Sequence, residues 1–204
     1  MARYTGPRVR ILRRLGSELP GLTTKTAARR PLAPGHAAAA SRRFPKLSEY
    51  GLRLREKQKL KYHFGLGERQ LQGVYTKAKR MPGDTGRNMI ALLEARLDNL
   101  VWRAGLTRTI PAARQLVAHG HIDLNGVRAK TPSQRLSIGD VFSLRAKGLN
   151  REDIRLSVNN PVLEAPAGLK TDLDKLAVTI ETLPGADDSA LDIDIQKVIE
   201  FYSR

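Results

Sequence analysis

The chain of 204 residues contains no cysteine, which excludes disulfides, thiolate metal sites and cysteine nucleophiles together. Histidine is scarce: His36, His63, His119 and His121 are the full set, and the last two, flanking Gly120 at an expected helix end, read as turn or surface residues rather than ligands. No apolar run approaches the roughly 20 residues of a membrane-spanning helix, and the segment from Met1 to Gly21 lacks the apolar core of a secretory leader. The expected setting is therefore soluble and intracellular. A Gly-rich phosphate loop, a nucleophile elbow and a metal-ligand cluster are all missing, so no catalytic residue, metal or cofactor is expected.

Positive charge is abundant. Lys and Arg number 36 against 20 Asp and Glu, a formal +16 that favours a polyanionic partner, nucleic acid first. The surplus is unevenly spread: residues 1–90 hold 21 basic and 5 acidic residues, 91–147 hold 9 and 4, and 148–204 hold 6 and 11. An RNA-facing surface should therefore occupy the first part, extend into the middle, and spare the stretch after Gly148. The length allows one large domain or two small ones.

Residues 1–47 read as a basic extended arm. Arg3, Arg8, Arg10, Arg13, Arg14, Arg29, Arg30, Arg42, Arg43 and Lys46 are spaced along a chain broken by Gly6-Pro7, Pro20-Gly21, Pro31 and Pro34-Gly35, with too little apolar surface for a core of its own. Such a chain can follow a phosphate backbone and orders when RNA is present.

From Ser48 to Gly65 the run SEYGLRLREKQKLKYHFG predicts a helix, with Ser48 as N-cap and Gly65 as its stop. Arg53, Lys57 and Lys61 recur every four residues on one side, and Arg55 and Lys59 lie roughly opposite, so no wide apolar stripe survives. A charge run is usually a solvated face. Here only Glu49 and Glu56 are at hand as partners, which favours phosphate contact. A second basic helix, Glu68 to Met81, carries Arg69, Lys77, Lys79 and Arg80 before Pro82-Gly83. Of these, Arg69, Lys77 and Arg80 join the expected RNA contacts, as does Arg87 just beyond.

Residues 84–105 read differently. Met89, Leu92, Leu93, Leu97, Leu100, Val101 and Ala104 follow a helical period and predict one amphipathic helix whose stripe is core. Thr109 can cap a second, short helix with Pro111 in its first turn and Ala113, Leu116 and Val117 facing inward, ending at Gly120. Ile122 and Leu124 then alternate with polar residues, Asn125-Gly126 signals a hairpin turn, and Val141, Ser143 and Arg145 alternate after Gly139-Asp140. The expected fold class is α+β: a basic, mostly helical domain with a small module of two helices packed on short antiparallel strands. Arg108, Arg114, Arg128 and Lys130 are that module's expected RNA contacts, among further cations at Arg135, Arg145 and Lys147.

The segments RLDNLVWRAG, ARQLVAHGHIDLNG and IGDVFSL, at 96–105, 113–126 and 138–144, resemble the RNA-binding module named after small-subunit ribosomal protein four. Several enzymes also carry that module. The flanking segments narrow the resemblance to the ribosomal family: MARYTGPR at the start, the run at 48–65, GDTGRNMIALLEARLDN at 83–99 and EFYSR at the end. The resemblance implies primary binding at a helix junction in the 5′ domain of small-subunit ribosomal RNA, early in assembly, and cytoplasmic residence in a bacterial or organellar type of subunit. It also implies contact with ribosomal protein five near where messenger enters, support of accuracy, and in some bacteria repression of the protein's own messenger. It further implies that the module, 94–184 with a core at 94–147, is inserted into a helical domain of 48–93 completed by 185–204.

The chain departs from the family pattern at three places. Many relatives carry a cysteine zinc knuckle in the first forty residues, whereas Val9 stands near the first ligand position here, so the chain resembles the zinc-free variant. Ile110 stands where a basic residue is common, which leaves the local contact to Arg108. Residues 149–190 match loosely, and no function is carried onto them. The competing readings are an RNA-modifying enzyme that uses the module as a clamp, and a regulatory RNA binder. The 57 residues after Lys147 are too few for a catalytic domain.

Overall fold

The structure, a computed structural model, describes residues 4–29, 32–34, 47–145, 152–172 and 176–203. In chain order these form α1 (Arg8–Leu15), α2 (Glu49–His63), α3 (Glu68–Lys79), α4 (Thr85–Glu94), α5 (Leu97–Arg103) and α6 (Ile110–Ala118). There follow β1 (Ile122–Leu124), β2 (Val127–Ala129), β3 (Val141–Leu144), α7 (Glu152–Asn159), β4 (Leu169–Asp172), β5 (Ala177–Ile180) and α8 (Ile195–Tyr202). The class is α+β. Two compact units result, one of Met1–Gly86 with Ala190–Arg204, the other of Arg87–Ser189.

In the first unit, α1 overturns the expectation that residues 1–47 are extended throughout. Ile11, Leu12 and Leu15 are buried, as are Leu19 and Leu22 just beyond, and α1 packs on α2. The apolar residues are too few for a core alone, yet their spacing of three and four gives a stripe once α2 supplies a surface. Gly16, at φ 64°, closes the helix by returning its N–H to the Leu12 carbonyl at 2.8 Å. Arg3, Arg30, Arg42, Arg43 and Lys46 lie outside the described residues.

Helix α2 begins where Ser48 Oγ accepts from the Gly51 N–H at 3.2 Å, and Gly65 leaves it at φ 58°. Its Lys57, Leu60 and His63 are buried, and α8 packs along it. Helix α3 buries Leu71, Val74, Tyr75 and Ala78. Tyr75 stacks on Tyr202 of α8 with ring centroids 5.1 Å apart.

In the second unit, the expected single helix over 84–105 is two, interrupted at Ala95 and Arg96. Arg96 is extended, at φ −75° and ψ 140°, and makes an isolated bridge with Arg135. The segment 132–136 takes over the hydrogen bonds that a continuous helix would have made. Leu97 N–H donates to the Gln134 carbonyl at 2.8 Å, Asp98 N–H to Pro132 at 3.0 Å, and Leu136 N–H to Ala95 at 2.9 Å. The stripe survives the break: Met89, Leu93, Leu97, Leu100, Val101 and Ala104 are buried, and Leu92 is half-buried.

Helix α6 is capped by Thr109, whose Oγ1 accepts from the Ala112 N–H at 3.3 Å, and it packs on α5. The sheet is antiparallel, in the order β2-β1-β3-β5-β4, with Leu124 opposite Val127 and Phe142, and Phe142 opposite Val178. Asn125 (φ 50°) and Gly126 (φ 78°) make the turn with both residues left-handed, as a two-residue hairpin requires. Asn125 also ties the turn to β3, accepting the Val141 N–H on Oδ1 at 2.9 Å and donating its own N–H to the Val141 carbonyl at 2.8 Å. The hairpin β4–β5, from the stretch that matched the family only loosely, adds two strands to the module's sheet. No helix among the described residues is long and apolar enough to cross a membrane.

Candidate nucleic-acid interface

The cations of the first unit fall into two groups. On α1, Arg8, Arg10 and Arg14 are exposed, whereas Arg13 Nε donates to the Leu32 carbonyl at 2.9 Å. Arg29, Arg69, Lys77, Lys79 and Arg80 are also exposed, without a partner among the described residues. These side chains keep their charge available to a phosphate.

The basic stripe of α2 is a different matter. Arg53 Nε donates to Glu200 Oε2 at 2.6 Å, and Lys57 Nζ to Glu68 Oε1 at 2.8 Å. Lys61 Nζ lies 3.5 Å from Glu68 Oε2, and Lys59 Nζ lies 2.7 Å from Glu56 Oε1. Lys57 is only 5% exposed and its ammonium sits 4.3 Å from the centre of the Phe201 ring. Arg53, Lys57 and Lys61, the expected phosphate contacts, thus each have an internal acidic partner that the sequence reading did not supply. That side of α2 is covered by α8 and Glu68, and Lys57 is a core residue. Arg55, half-buried, is the member of the run without a partner among the described residues.

Glu68 sits where these cations meet. Burial pushes its carboxyl up, but hydrogen bonds from Lys57 Nζ and the Tyr202 hydroxyl (2.9 Å), with the charges of Lys57 and Lys61, outweigh that and hold it below the ordinary carboxylate range. The Tyr202 phenol is pushed up, first by burial and then by its bond to Glu68.

In the second unit a buried carboxylate organises the arginines. Asp98, 0% exposed, accepts from Arg96 Nε at 3.0 Å and Nη2 at 2.8 Å, a two-pronged pair. Its Oδ2 also accepts from Arg114 Nε at 3.0 Å and Nη2 at 2.6 Å. Arg114, an expected RNA contact, thus has an internal partner in Asp98. Arg108 and Lys130 are exposed and have no partner among the described residues. Arg128 is exposed and donates from Nη2 to the His119 carbonyl at 3.0 Å, Arg87 is exposed, and Arg145 lies 3.4 Å from Asp123.

A second buried carboxylate, Glu94, accepts from Asn99 Nδ2 at 2.6 Å and Ser189 Oγ at 3.3 Å, with Arg103 Nε 4.0 Å away. Burial dominates over these partners and raises its carboxyl above the ordinary range. Sequence reading missed Asp98, Glu94, Glu68 and Glu200 as partners of the cations. The usable signal was an acid flanked by core positions, as at Glu94 and Asp98, or on the helix that closes the chain, as at Glu200. Among the described residues no group of three His, Asp or Glu side chains could hold a metal ion.

Two short helices packed on each other, α6 capped by Thr109, in one unit with a small antiparallel sheet and with exposed Arg108 and Lys130, are an arrangement suited to RNA. Residues 95–142 match the S4 domain, and residues 3–94 match the ribosomal protein S4/S9 N-terminal domain. The boundary between the two falls at the interruption between α4 and α5. The class is thus a ribosomal protein built around an S4 domain. Over its full length the chain is 43% identical to small ribosomal subunit protein uS4B of Nitrosomonas europaea, across 205 residues that cover 100% of this chain and 99% of that one. It is 47% identical to uS4 of Geobacillus thermodenitrificans and 43% identical to uS4c of Oltmannsiellopsis viridis, covering 100% of both chains in each case. The chain belongs to the uS4 family of small ribosomal subunit proteins, in a form without cysteine. The family is structural, not enzymatic.

Proposed function

We propose that the chain binds the 5′ domain of small-subunit ribosomal RNA at a helix junction as a primary binder and nucleates assembly there. By family it is a structural constituent of the small ribosomal subunit with an RNA-binding S4 domain. The observation that carries the finer reading is the set of exposed cations without internal partners in both units, Arg8, Arg10 and Arg14 in the first and Arg108 and Lys130 in the second. Each can neutralise a phosphate and release a counterion. The C-terminal helix α8, with Glu200 and Phe201 against α2, fits a role in presenting the α2 surface to a neighbouring protein, and contact with ribosomal protein five in support of accuracy belongs to this reading. So does repression of the chain's own messenger, which needs only that the messenger mimic the junction.

The test is filter binding of the full chain, with no other protein present, to a 5′-domain transcript, to its own messenger leader and to an unrelated structured RNA of equal length, over a salt series. Primary binding requires preference for the 5′-domain transcript at every salt concentration. Equal affinity for all three RNAs would reduce the chain to a non-specific polycation.

A further inference from the structure

A cleft in the second unit, with a cavity volume of about 220 Å³, is not used by anything described above. Its floor is mostly apolar: Leu106, Leu116 and Ile154 are 0%, 4% and 2% exposed, with the hydroxyl-bearing Thr107 and Ser157 buried beside them at 8% and 4%. Its rim is built of Arg108, Ala112 and Gln115, all exposed. Ala112 and Gln115 are three apart on α6 and so share a face, and Arg108 immediately precedes the Thr109 cap that fixes where that face begins. Neither the Arg108 guanidinium nor the Gln115 amide has a hydrogen-bond partner among the described residues. An apolar floor with an unspent cation and an unspent amide at the mouth is matched to a flat, weakly polar ring attached to an anion.

We propose that this cleft takes one unstacked nucleobase of the bound RNA. Size supports the assignment, because an apolar cavity of about 150 Å³ already holds a benzene ring, and the cleft exceeds that by less than a second ring would add. Charge supports it too: Arg108 lies at the mouth, where the phosphate of the inserted nucleotide would sit, in a stretch with 9 basic and 4 acidic residues between 91 and 147. Proteins read RNA by sequence mainly through bases splayed from loops and junctions, stacked on flat or apolar groups and hydrogen-bonded on their pairing edges. Gln115 offers both a donor and an acceptor to such an edge. The cleft would thus supply base recognition to a surface whose other contacts are to phosphate. The proposal rests on the reading of the chain as a binder of ribosomal RNA.

The test uses the full chain, a 5′-domain transcript and an unrelated structured RNA of equal length, with filter binding and base-specific chemical modification. Wild-type protein should protect the pairing edge of one unpaired base. Ala112→Trp fills the mouth from an exposed position without removing a charge. It should weaken binding to the 5′-domain transcript about tenfold, the scale of one lost base contact, abolish that protection, and leave both the salt slope and binding to the unrelated RNA unchanged. Gln115→Ala, an exposed truncation that cannot block the cleft or disturb the core, should weaken the same protection. The proposal is overturned if Ala112→Trp keeps wild-type affinity and footprint, or if it weakens both RNAs equally. It is also overturned if the variant binds RNA normally and fails only once other subunit proteins are added, since the occupant is then a protein side chain. Wild-type protein that does not prefer the 5′-domain transcript defeats the functional reading itself, a result visible before any variant is compared.

Discussion

Glu68 and Glu94 are carboxylates of one chemical type that their surroundings drive in opposite directions. The Glu68 carboxyl lies below its ordinary value of 4.5, so its stabilising contribution is present above that value and is lost as pH falls through the lower, folded-state value. The Glu94 carboxyl lies above 4.5, so its favourable contribution is fully present below 4.5 and is lost as pH rises through the higher, folded-state value. Thermal midpoints across a pH series should therefore separate the two glutamine variants. The advantage of wild type over Glu68→Gln should fade on acidification below 4.5, whereas its advantage over Glu94→Gln should fade as pH rises above 4.5. Parallel curves for the two variants would mean that neither carboxylate is governed by the partners described here. The effect at Glu68 will be modest, since its side chain remains 45% exposed and water screens its ion pairs.

At the scale of elements, α1 and α2 exchange the roles that their compositions suggest. Helix α1 carries a buried stripe and, in Arg8, Arg10 and Arg14, arginines without a partner among the described residues, so it can anchor and still offer charge to RNA. Leu12→Ala should cost about 2 to 5 kcal/mol in urea denaturation of the RNA-free protein, as expected for a buried leucine. A loss below about 0.5 kcal/mol, the scale of an ordinary surface substitution, would mean that α1 does not pack in solution. Replacing Arg8, Arg10 and Arg14 by Gln should flatten the plot of log affinity against log salt by roughly two units, since each phosphate contact contributes about 0.7 to 0.9. The matching triple of Arg53, Lys57 and Lys61 should flatten it by less than about one unit and should instead lower stability. Lys57 and Arg53 are tied to Glu68 and Glu200, and the buried Lys57 also packs against the Phe201 ring, so the substitutions lose packing as well as ion pairs. Slopes in the reverse order would return the α2 stripe to the RNA surface.

The whole molecule is electrically divided along its sequence. Net positive charge is confined to residues 1–147, and 148–204 carry 6 basic against 11 acidic residues. Long-range attraction should therefore orient the chain on RNA before any short contact forms. Hydrogen exchange on binding a 5′-domain transcript should slow in α1 and in the α5–α6 region and stay unchanged in the β4–β5 hairpin, where Lys170 already pairs with Glu181 at 2.6 Å. Slowing of equal size in that hairpin would show that the charge division does not set the binding face.

The sequence by itself determined what depends on near neighbours or on composition. The absence of cysteine, the division of charge and the α+β class were legible from composition and pattern along the chain, and the Ser48 and Thr109 caps and the Asn125-Gly126 turn because each is fixed within a few residues. The helical period also revealed which residues share a face: it put Arg53, Lys57 and Lys61 together and made Met89 to Ala104 one stripe. What covers a face was decided only by the tertiary structure. Lys57 finds its acceptor 11 residues away and Arg53 finds its own 147 residues away, beyond the reach of any local pattern. The interruption at Arg96 likewise depends on hydrogen bonds from the segment 132–136, and the core role of α1 depends on the surface that α2 offers it. A cation's sequence position fixes its charge, but only the partners brought to it by folding decide whether that charge is left for RNA.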